Sequence, residues 1–166
     1  MKQLSIIIMV LSLIALTIPI VKSIQLEQNC IGYLERASNA NTVETAIEEL
    51  NYSISYLEEN ELTNGYTSVF YRTPDEDINF FYKNLVNSRD ELMKVDSTTT
   101  QMERTNLLMK LRETLTYDSG YYGTIVTCPD GLSRYPNNGM WMFIISISLL
   151  CLFGFGFYLL LEADYL

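Results

Sequence analysis

Two long runs of apolar residues stand at opposite ends of the chain and dominate its pattern of hydrophobic and polar positions. The C-terminal run extends from Met140 to Leu161 and contains no charged residue. A helix of this length rises roughly 33 Å, which is enough to cross a hydrocarbon core of about 30 Å. We therefore predict that residues 140–166 form a transmembrane helix with a short tail.

The N-terminal run extends from Leu4 to Val21 and follows one basic residue, Lys2. Such a run is typical both of an uncleaved signal anchor and of a cleavable signal peptide. Its length is just sufficient to span a bilayer, which favours the anchor, whereas the helix breaker Pro19 suits the end of a cleavable segment. We predict that residues 1–22 form the first transmembrane helix, with cleavage that leaves a mature N-terminus near Ile24 as the alternative.

Residues 23–139, between the two runs, carry the periodicity of amphipathic helices. The clearest stripe has apolar residues at alternating spacings of four and three, on a helix of about five turns. Its members are Val43, Ile47, Leu50, Ile54 and Leu57. Similar patterns predict helices over Ile24–Ala37, from Pro74 to about Lys94, and from Thr100 to about Tyr117, hence a bundle of about four helices. The residues expected to be buried in the last two are Ile78, Phe81, Leu85, Leu92, Leu107, Leu108, Leu111 and Leu115.

Three short motifs predict where helices begin, because each places a capping side chain three residues before a glutamate that can close a capping box. The motifs are Asn41 with Glu44, Thr73 with Glu76, and Thr100 with Glu103. After Thr73, proline suits the first helical position and the acids meet the positive end of the helix dipole. The segment Asp75-Glu76-Asp77 lacks the glycine and the alternating ligands of an EF-hand loop, so we expect no calcium site there.

Two segments outside the helices complete the domain. Residues 60–73, which we call the connector, contain the turn signal Asn64-Gly65 and are expected to pack down because they are rich in apolar side chains. Those side chains are Tyr66, Val69, Phe70 and Tyr71. Residues 121–137, which we call the arm, begin with β-prone residues and continue through the turn Pro129-Asp130-Gly131. The predicted fold class is an all-α membrane protein in which two transmembrane helices flank a small extracytoplasmic bundle, with a short irregular, β-prone arm before the second span.

The charge of the chain narrows the range of partners. The net charge is −9 at pH 7, and it belongs to residues 23–139 because Lys2 and Lys22 offset Glu162 and Asp164 outside them. An acidic domain repels phosphate backbones, so we expect no nucleic-acid partner, and it disfavours a surface that lies along anionic lipids. The chain has no histidine, which removes the commonest general base and metal ligand. We therefore predict a protein that is not an enzyme and that uses no cofactor or metal.

Cysteine supplies the one predicted pair of site residues. Cys30 and Cys128 lie outside the apolar runs, whereas Cys151 lies inside the second. If residues 23–139 are extracytoplasmic, a disulfide between Cys30 and Cys128 would close nearly the whole domain into a loop. Chain-entropy models assign such a loop about 4–5 kcal/mol. We predict this disulfide, with two separate buried thiols as the alternative.

These features favour a membrane-anchored extracytoplasmic helical interaction module, an accessory or structural subunit of a larger membrane assembly. Its expected partners are the lipid bilayer and other membrane proteins or a second copy of the chain. One alternative is a ligand-sensing module that signals through a partner membrane protein, since two spans flanking a helical domain resemble the sensory half of bacterial chemoreceptors in architecture alone. Another is a membrane-bound enzyme that uses carboxylates and tyrosines.

The orientation in the membrane gives a first testable prediction. Lys2 favours a cytoplasmic N-terminus, which places residues 23–139 on the extracytoplasmic side of a plasma or inner membrane. In a chain whose native cysteines are replaced, Asn64→Cys should react with a membrane-impermeant maleimide in intact cells. Ala163→Cys, in the tail, is the control and should react only after permeabilisation. The opposite pattern would reverse the proposed orientation.

Overall fold

The computed structural model describes residues 2–121 and 123–164. Most of them are helical, and a short antiparallel pair of strands precedes the last helix. The α-helices in chain order are α1 (Lys2–Leu26), α2 (Gly32–Ser38), α3 (Val43–Glu59), α4 (Ile78–Leu92), α5 (Gln101–Leu115) and α6 (Asn138–Asp164). The strands are β1 (Thr116–Asp118) and β2 (Thr124–Val126), and 3₁₀ turns occupy Pro74–Glu76 and Leu132–Arg134. A π-helical turn, Glu27–Ile31, joins α1 to α2 without a break.

Within the described residues, two helices are long and apolar enough to cross a membrane. The first runs from Ile6 to Ser38 and contains a stretch of mean hydropathy 2.4, and the second runs from Asn138 to Phe155 with a stretch of 1.8. The helices α1 and α6 pack along each other, and their buried positions include the small residues Ser12 and Ser148. Small side chains let two helix backbones approach closely. The prediction of two such helices at the ends of the chain is confirmed.

The first helix continues beyond its apolar run into the bundle, which confirms the helix predicted over Ile24–Ala37. The sequence pattern did not indicate the π-helical turn within it. There the N–H of Gly32 donates to the carbonyl oxygen of Glu27, and a Cβ on residue 32 would lie only 3.1 Å from that oxygen. Glycine therefore suits this wider turn. The residues of this helix that reach the core are Leu26, Cys30, Leu34 and Ala37.

Four helical segments of the described residues enclose one hydrophobic core: α2 with the π-helical turn, α3, α4 and α5. The predicted apolar stripes face it. Their buried members are Val43, Leu50, Ile54, Leu57, Ile78, Phe81, Leu85, Leu92, Leu111 and Leu115, while Ile47, Leu107 and Leu108 are partly buried. Glu49, which the pattern places beside the stripe of α3, is also buried and forms an ion pair with Arg36 of α2. Breaking such a pair would leave a buried charge uncompensated.

Capping side chains set the starts of α3 and α5. Thr100 and Glu103 close the predicted capping box of α5, since the N–H of Thr100 donates to Glu103 Oε2 at 2.8 Å and the N–H of Glu103 donates to Thr100 Oγ1 at 3.3 Å. For α3 the predicted cap is wrong by one residue. Thr42, not Asn41, has the extended backbone of a cap, and its Oγ1 accepts the N–H of Thr45 at 3.2 Å.

The helix predicted from Pro74 begins later, at Ile78. Thr73 and Glu76 do interact, with Thr73 Oγ1 donating to Glu76 Oε2 at 2.8 Å, but this motif caps only the 3₁₀ turn. The connector explains the interruption. The N–H of Thr67 donates to the carbonyl of Glu76 and the N–H of Ile78 donates to that of Gly65, so the backbone is drawn into an extended bridge. Asp77 then caps α4, because its Oδ1 accepts the N–H groups of residues 79 and 80 at 2.9 and 3.2 Å.

The β-prone segment of the arm forms β2, which pairs antiparallel with β1. Thr116 lies opposite Val126 and Asp118 lies opposite Thr124. This pairing ends α5 at Leu115, two residues before its predicted end, because β1 takes the residues that the helix would have used. The arm is therefore attached to the bundle through backbone hydrogen bonds as well as through its side chains.

The cap of α4 gives a second testable prediction. Asp77→Ala should lower the free energy of unfolding by about 1–2 kcal/mol, because it removes the acceptor of two N–H groups at the helix start. Thr73→Ala should cost only about 0.5 kcal/mol because the motif closes a short turn. Asp77→Asn, which retains an acceptor, is the control. Urea titration of the full chain in detergent measures all three, and equal losses for Asp77→Ala and Thr73→Ala would contradict the assignment.

Candidate functional site

A cavity of about 570 Å³ opens between the start of α4 and the arm. The 3₁₀ turn and the first turns of α4 form one wall, and the end of α5, Tyr117 and residues 127–130 form the other. Buried side chains of the core form its floor, among them Leu85 and Leu115. We call this cavity the acidic groove. Its lining residues are Thr73, Pro74, Asp75, Glu76, Asp77, Phe80, Phe81, Asn84, Leu85, Thr114, Leu115, Tyr117, Thr127, Cys128, Pro129 and Asp130.

The charge of this groove is entirely negative among the residues that the structure describes. Asp75, Glu76, Asp77 and Asp130 line it, and no lysine or arginine does. Glu76 and Asp77 are engaged in the local capping contacts. Asp75 and Asp130 are exposed, and their carboxylates accept no hydrogen bond from the described part of the chain. Two carboxylates without a hydrogen-bond donor among the described residues thus lie on opposite walls of the groove.

An exposed aromatic ring extends the groove toward the connector. Phe80, on the first turn of α4, is 62% exposed although it is large and apolar. It also lines a smaller cavity of about 300 Å³ together with Pro74, Tyr66 and Arg72. The Arg72 guanidinium lies 5.1 Å from the centre of the Tyr66 ring, which is a cation–π distance. The two cavities share Phe80 and Pro74, so they form one continuous surface from the arm to the connector.

The connector itself differs from its prediction. Phe70 and Tyr71 are 77% and 83% exposed, so the expectation that they pack down is wrong. The connector is held in place instead by a hydrogen bond to its backbone and by its close approach to α6. The amide Nδ2 of Asn138, at the start of α6, donates to the carbonyl oxygen of Thr67 at 2.7 Å. A Cβ on Gly139 would lie 3.4 Å from the side chain of Val69, so the connector sits beside the start of α6.

The described residues contain no group of three histidine, cysteine, aspartate or glutamate side chains that could hold a metal ion. The exposed carboxylate of Glu58 accepts, through its Oε1, a hydrogen bond from the Tyr82 hydroxyl at 2.6 Å. This bond raises the pKa of Tyr82, because it stabilises the protonated phenol beside a negative charge. It joins α3 to α4 and lies outside the acidic groove.

The predicted disulfide residues are both part of the hydrophobic core. Cys30 is fully buried on the π-helical turn, and Cys128, half-buried, packs against the same core from the arm. The structure holds both as free thiols in one shared core, so the disulfide between them stays a prediction. Burial raises the pKa of Cys30 to about 12. Burial also raises the pKa of Cys128, and the negative charge of a Cys30 thiolate adds to this effect.

Comparison with known protein families, with curated proteins and with solved structures finds no significant match. Function is therefore inferred from the residues themselves. The sequence did not indicate the acidic groove, because Asp75 and Asp130 lie far apart in the chain. Each belongs to a turn motif visible in the sequence, but no local signal shows that the two turns face each other.

The cysteine pair gives a third testable prediction. In full-length protein isolated without reductant and then unfolded, Cys30 and Cys128 should resist alkylation until a reductant is added. Cys151 is the internal control and should react at once. Peptide mapping under non-reducing conditions should recover the two linked cysteine peptides. Alkylation of Cys30 and Cys128 before reduction would instead establish two separate buried thiols. Their raised pKa values slow alkylation only in the folded chain, so they do not affect this measurement on the unfolded chain.

Proposed function

We propose that this chain is a membrane-anchored interaction module that is not an enzyme. Its apolar helices span a membrane, its bundle lies on the extracytoplasmic side, and its acidic groove binds a positively charged segment of a partner membrane protein. In this role the chain acts as an accessory or structural subunit of a larger membrane assembly.

The observation that carries this proposal is the composition of the acidic groove. Asp75 and Asp130 offer uncommitted carboxylates on opposite walls, and no basic residue of the described chain lines the groove. Complementary charge directs encounter and fixes the orientation of a partner. Phe80 adds a large exposed ring beside these charges, and aromatic residues are frequent anchors of protein interfaces. A segment with lysine or arginine next to apolar residues has the matching chemistry.

The attachment of the bundle to α6 supports a structural subunit. Asn138 binds the connector through Thr67 and the arm through Gly131, at 2.7 and 3.0 Å. The two segments that border the groove are thus held at the start of a candidate span. A partner bound in the groove would be fixed relative to that span.

A sensor of a small cation is the second candidate, and the size of the groove favours it. A volume of about 570 Å³ lies within the range of ligand pockets, which hold whole small molecules. The same carboxylates would then bind an amine. The two candidates differ in how much of the surface the ligand needs, because a peptide can extend past Phe80 into the smaller cavity beside Tyr66, whereas an amine fits within the groove.

The fourth prediction tests the groove with defined probes. Two labelled peptides share their apolar residues, and one carries lysines where the other carries glutamates. Full-length protein in detergent should bind the lysine peptide at least about tenfold more tightly, and added salt should weaken this binding. Fluorescence anisotropy gives both affinities. If 1,5-diaminopentane competes at the peptide's own concentration, the small-ligand sensor is favoured.

Variants locate the binding surface. The double variant Asp75→Asn with Asp130→Asn, and separately Phe80→Ser, should each weaken binding of the lysine peptide several-fold. The matched control is Glu48→Gln with Glu59→Gln, which removes two exposed charges from α3, outside the groove. Equal weakening by both double variants would show attraction to the net charge alone and would remove the groove from the proposal.

A further inference from the structure

A second large cavity, of about 620 Å³, lies where the arm meets the two candidate spans. We call it the interfacial cavity. Its lining includes Leu16, Ile20 and Ser23 of α1, Ile145 of α6, and Ser133 and Arg134 of the arm. None of these residues lines the acidic groove, so the two cavities are separate places on the molecule.

The polarity of the interfacial cavity changes along α1. Leu16 and Ile20 belong to the apolar run, whereas Ser23 follows it and is itself followed by the apolar Ile24. Leu16 and Ser23 are about 10 Å apart along the helix axis. Ser133 and Arg134 close the polar end. An apolar channel that ends at hydroxyl groups and a cation matches the polarity of a phospholipid, whose acyl chain adjoins a phosphodiester.

Arg134 is the residue of this cavity whose charge favours the binding of an anionic ligand. Among the described residues that line the cavity, it is the only charged one. Its side chain is half-buried and makes no ion pair or hydrogen bond within the described residues, although the whole chain has 20 acidic residues for 11 basic ones. A partly desolvated guanidinium without a counter-ion is unfavourable, and its planar donors suit two oxygens of one phosphate.

The backbone fixes the position of this guanidinium. Arg134 ends the 3₁₀ turn Leu132–Arg134, and Gly131 before that turn has a φ of 76°, which favours glycine. A Cβ on residue 131 would lie 3.4 Å from Arg134 Nη2 and 2.9 Å from Asn138 Nδ2. The guanidinium therefore lies close over Gly131, beside the start of α6.

We propose that the interfacial cavity binds one phospholipid, with its phosphate on Arg134 and an acyl chain along Leu16, Ile20 and Ile145. The inference rests on the membrane insertion in the proposed function, but not on a partner in the acidic groove. A free phosphate shares the chemistry of the headgroup. It would leave the apolar half of the cavity unused, which is why a lipid is the better match.

The fifth prediction tests lipid binding to the full chain in detergent. Native mass spectrometry follows the titration of phosphatidylglycerol into the wild type and Arg134→Gln. The variant should bind at least about tenfold more weakly, because it loses a charge-assisted contact. Lys22→Gln is the matched control. Lys22 lies 6.0 Å from the Trp141 ring, near the end of the same apolar run but outside the cavity, so this change should leave binding nearly unaltered.

A second variant tests occupation of the cavity independently of charge. Ser23→Phe should fill the cavity and reduce lipid binding while the helical circular dichroism stays that of the wild type. Three results would overturn the lipid site. They are equal losses in Arg134→Gln and Lys22→Gln, displacement of the lipid by inorganic phosphate at equal concentration, and a bound second copy of the chain in place of lipid.

Carbonate extraction of cell membranes separates failure of this inference from failure of the proposed function. A chain released into the supernatant would overturn the membrane insertion and the lipid site together. A chain that stays in the membrane but binds no phosphatidylglycerol overturns the lipid site alone.

Discussion

The amide of Asn138 makes the contacts on which the arrangement of the molecule depends. It is the first residue of α6, and its Nδ2 donates to the carbonyl oxygens of Thr67 and Gly131. The Thr67 carbonyl belongs to no regular helix or strand, so its hydrogen bond must be made by a side chain or by water. The Gly131 carbonyl also accepts the N–H of Arg134 at 3.0 Å. Through one amide, the connector and the arm are joined to the helix that forms the second candidate span.

The arm borders both cavities and therefore relates the two proposed sites. Cys128 and Asp130 line the acidic groove, and Arg134, a few residues on, lines the interfacial cavity. A lipid phosphate on Arg134 would restrict the same segment that carries Asp130. The two sites also differ in charge, since carboxylates line the groove while the interfacial cavity is lined by Arg134, whose guanidinium has no ion pair among the described residues. An acidic domain can thus hold an anionic headgroup locally, even though its net charge disfavours spreading along anionic lipids.

Much of the fold could be predicted because its signals are local. The stripe through Leu50 and Ile54 and the capping box of Thr100 and Glu103 depend on residues within one or two helical turns of each other. Two of the errors occur where another segment takes the same backbone. Residues 76–78 bridge to the connector instead of starting the helix, and β1 pairs with β2 instead of extending α5. The candidate sites were not predictable because Asp75 and Asp130, and likewise Ile20 and Arg134, come to line one cavity only after the chain has folded.

Two apolar helices at the chain ends, four amphipathic helical segments between them and the surplus of acidic residues can all be derived from the sequence. Each follows from composition or from a period of a few residues, which no tertiary contact needs to supply. Tertiary structure alone decided that Cys30 and Cys128 share a core, that Phe70 and Tyr71 stay exposed, and that the arm lies against α1. These outcomes depend on which surfaces pack together. The hydrophobic effect is non-directional, so it buries the apolar surfaces that the packed helices bring together, however far apart they lie in the sequence.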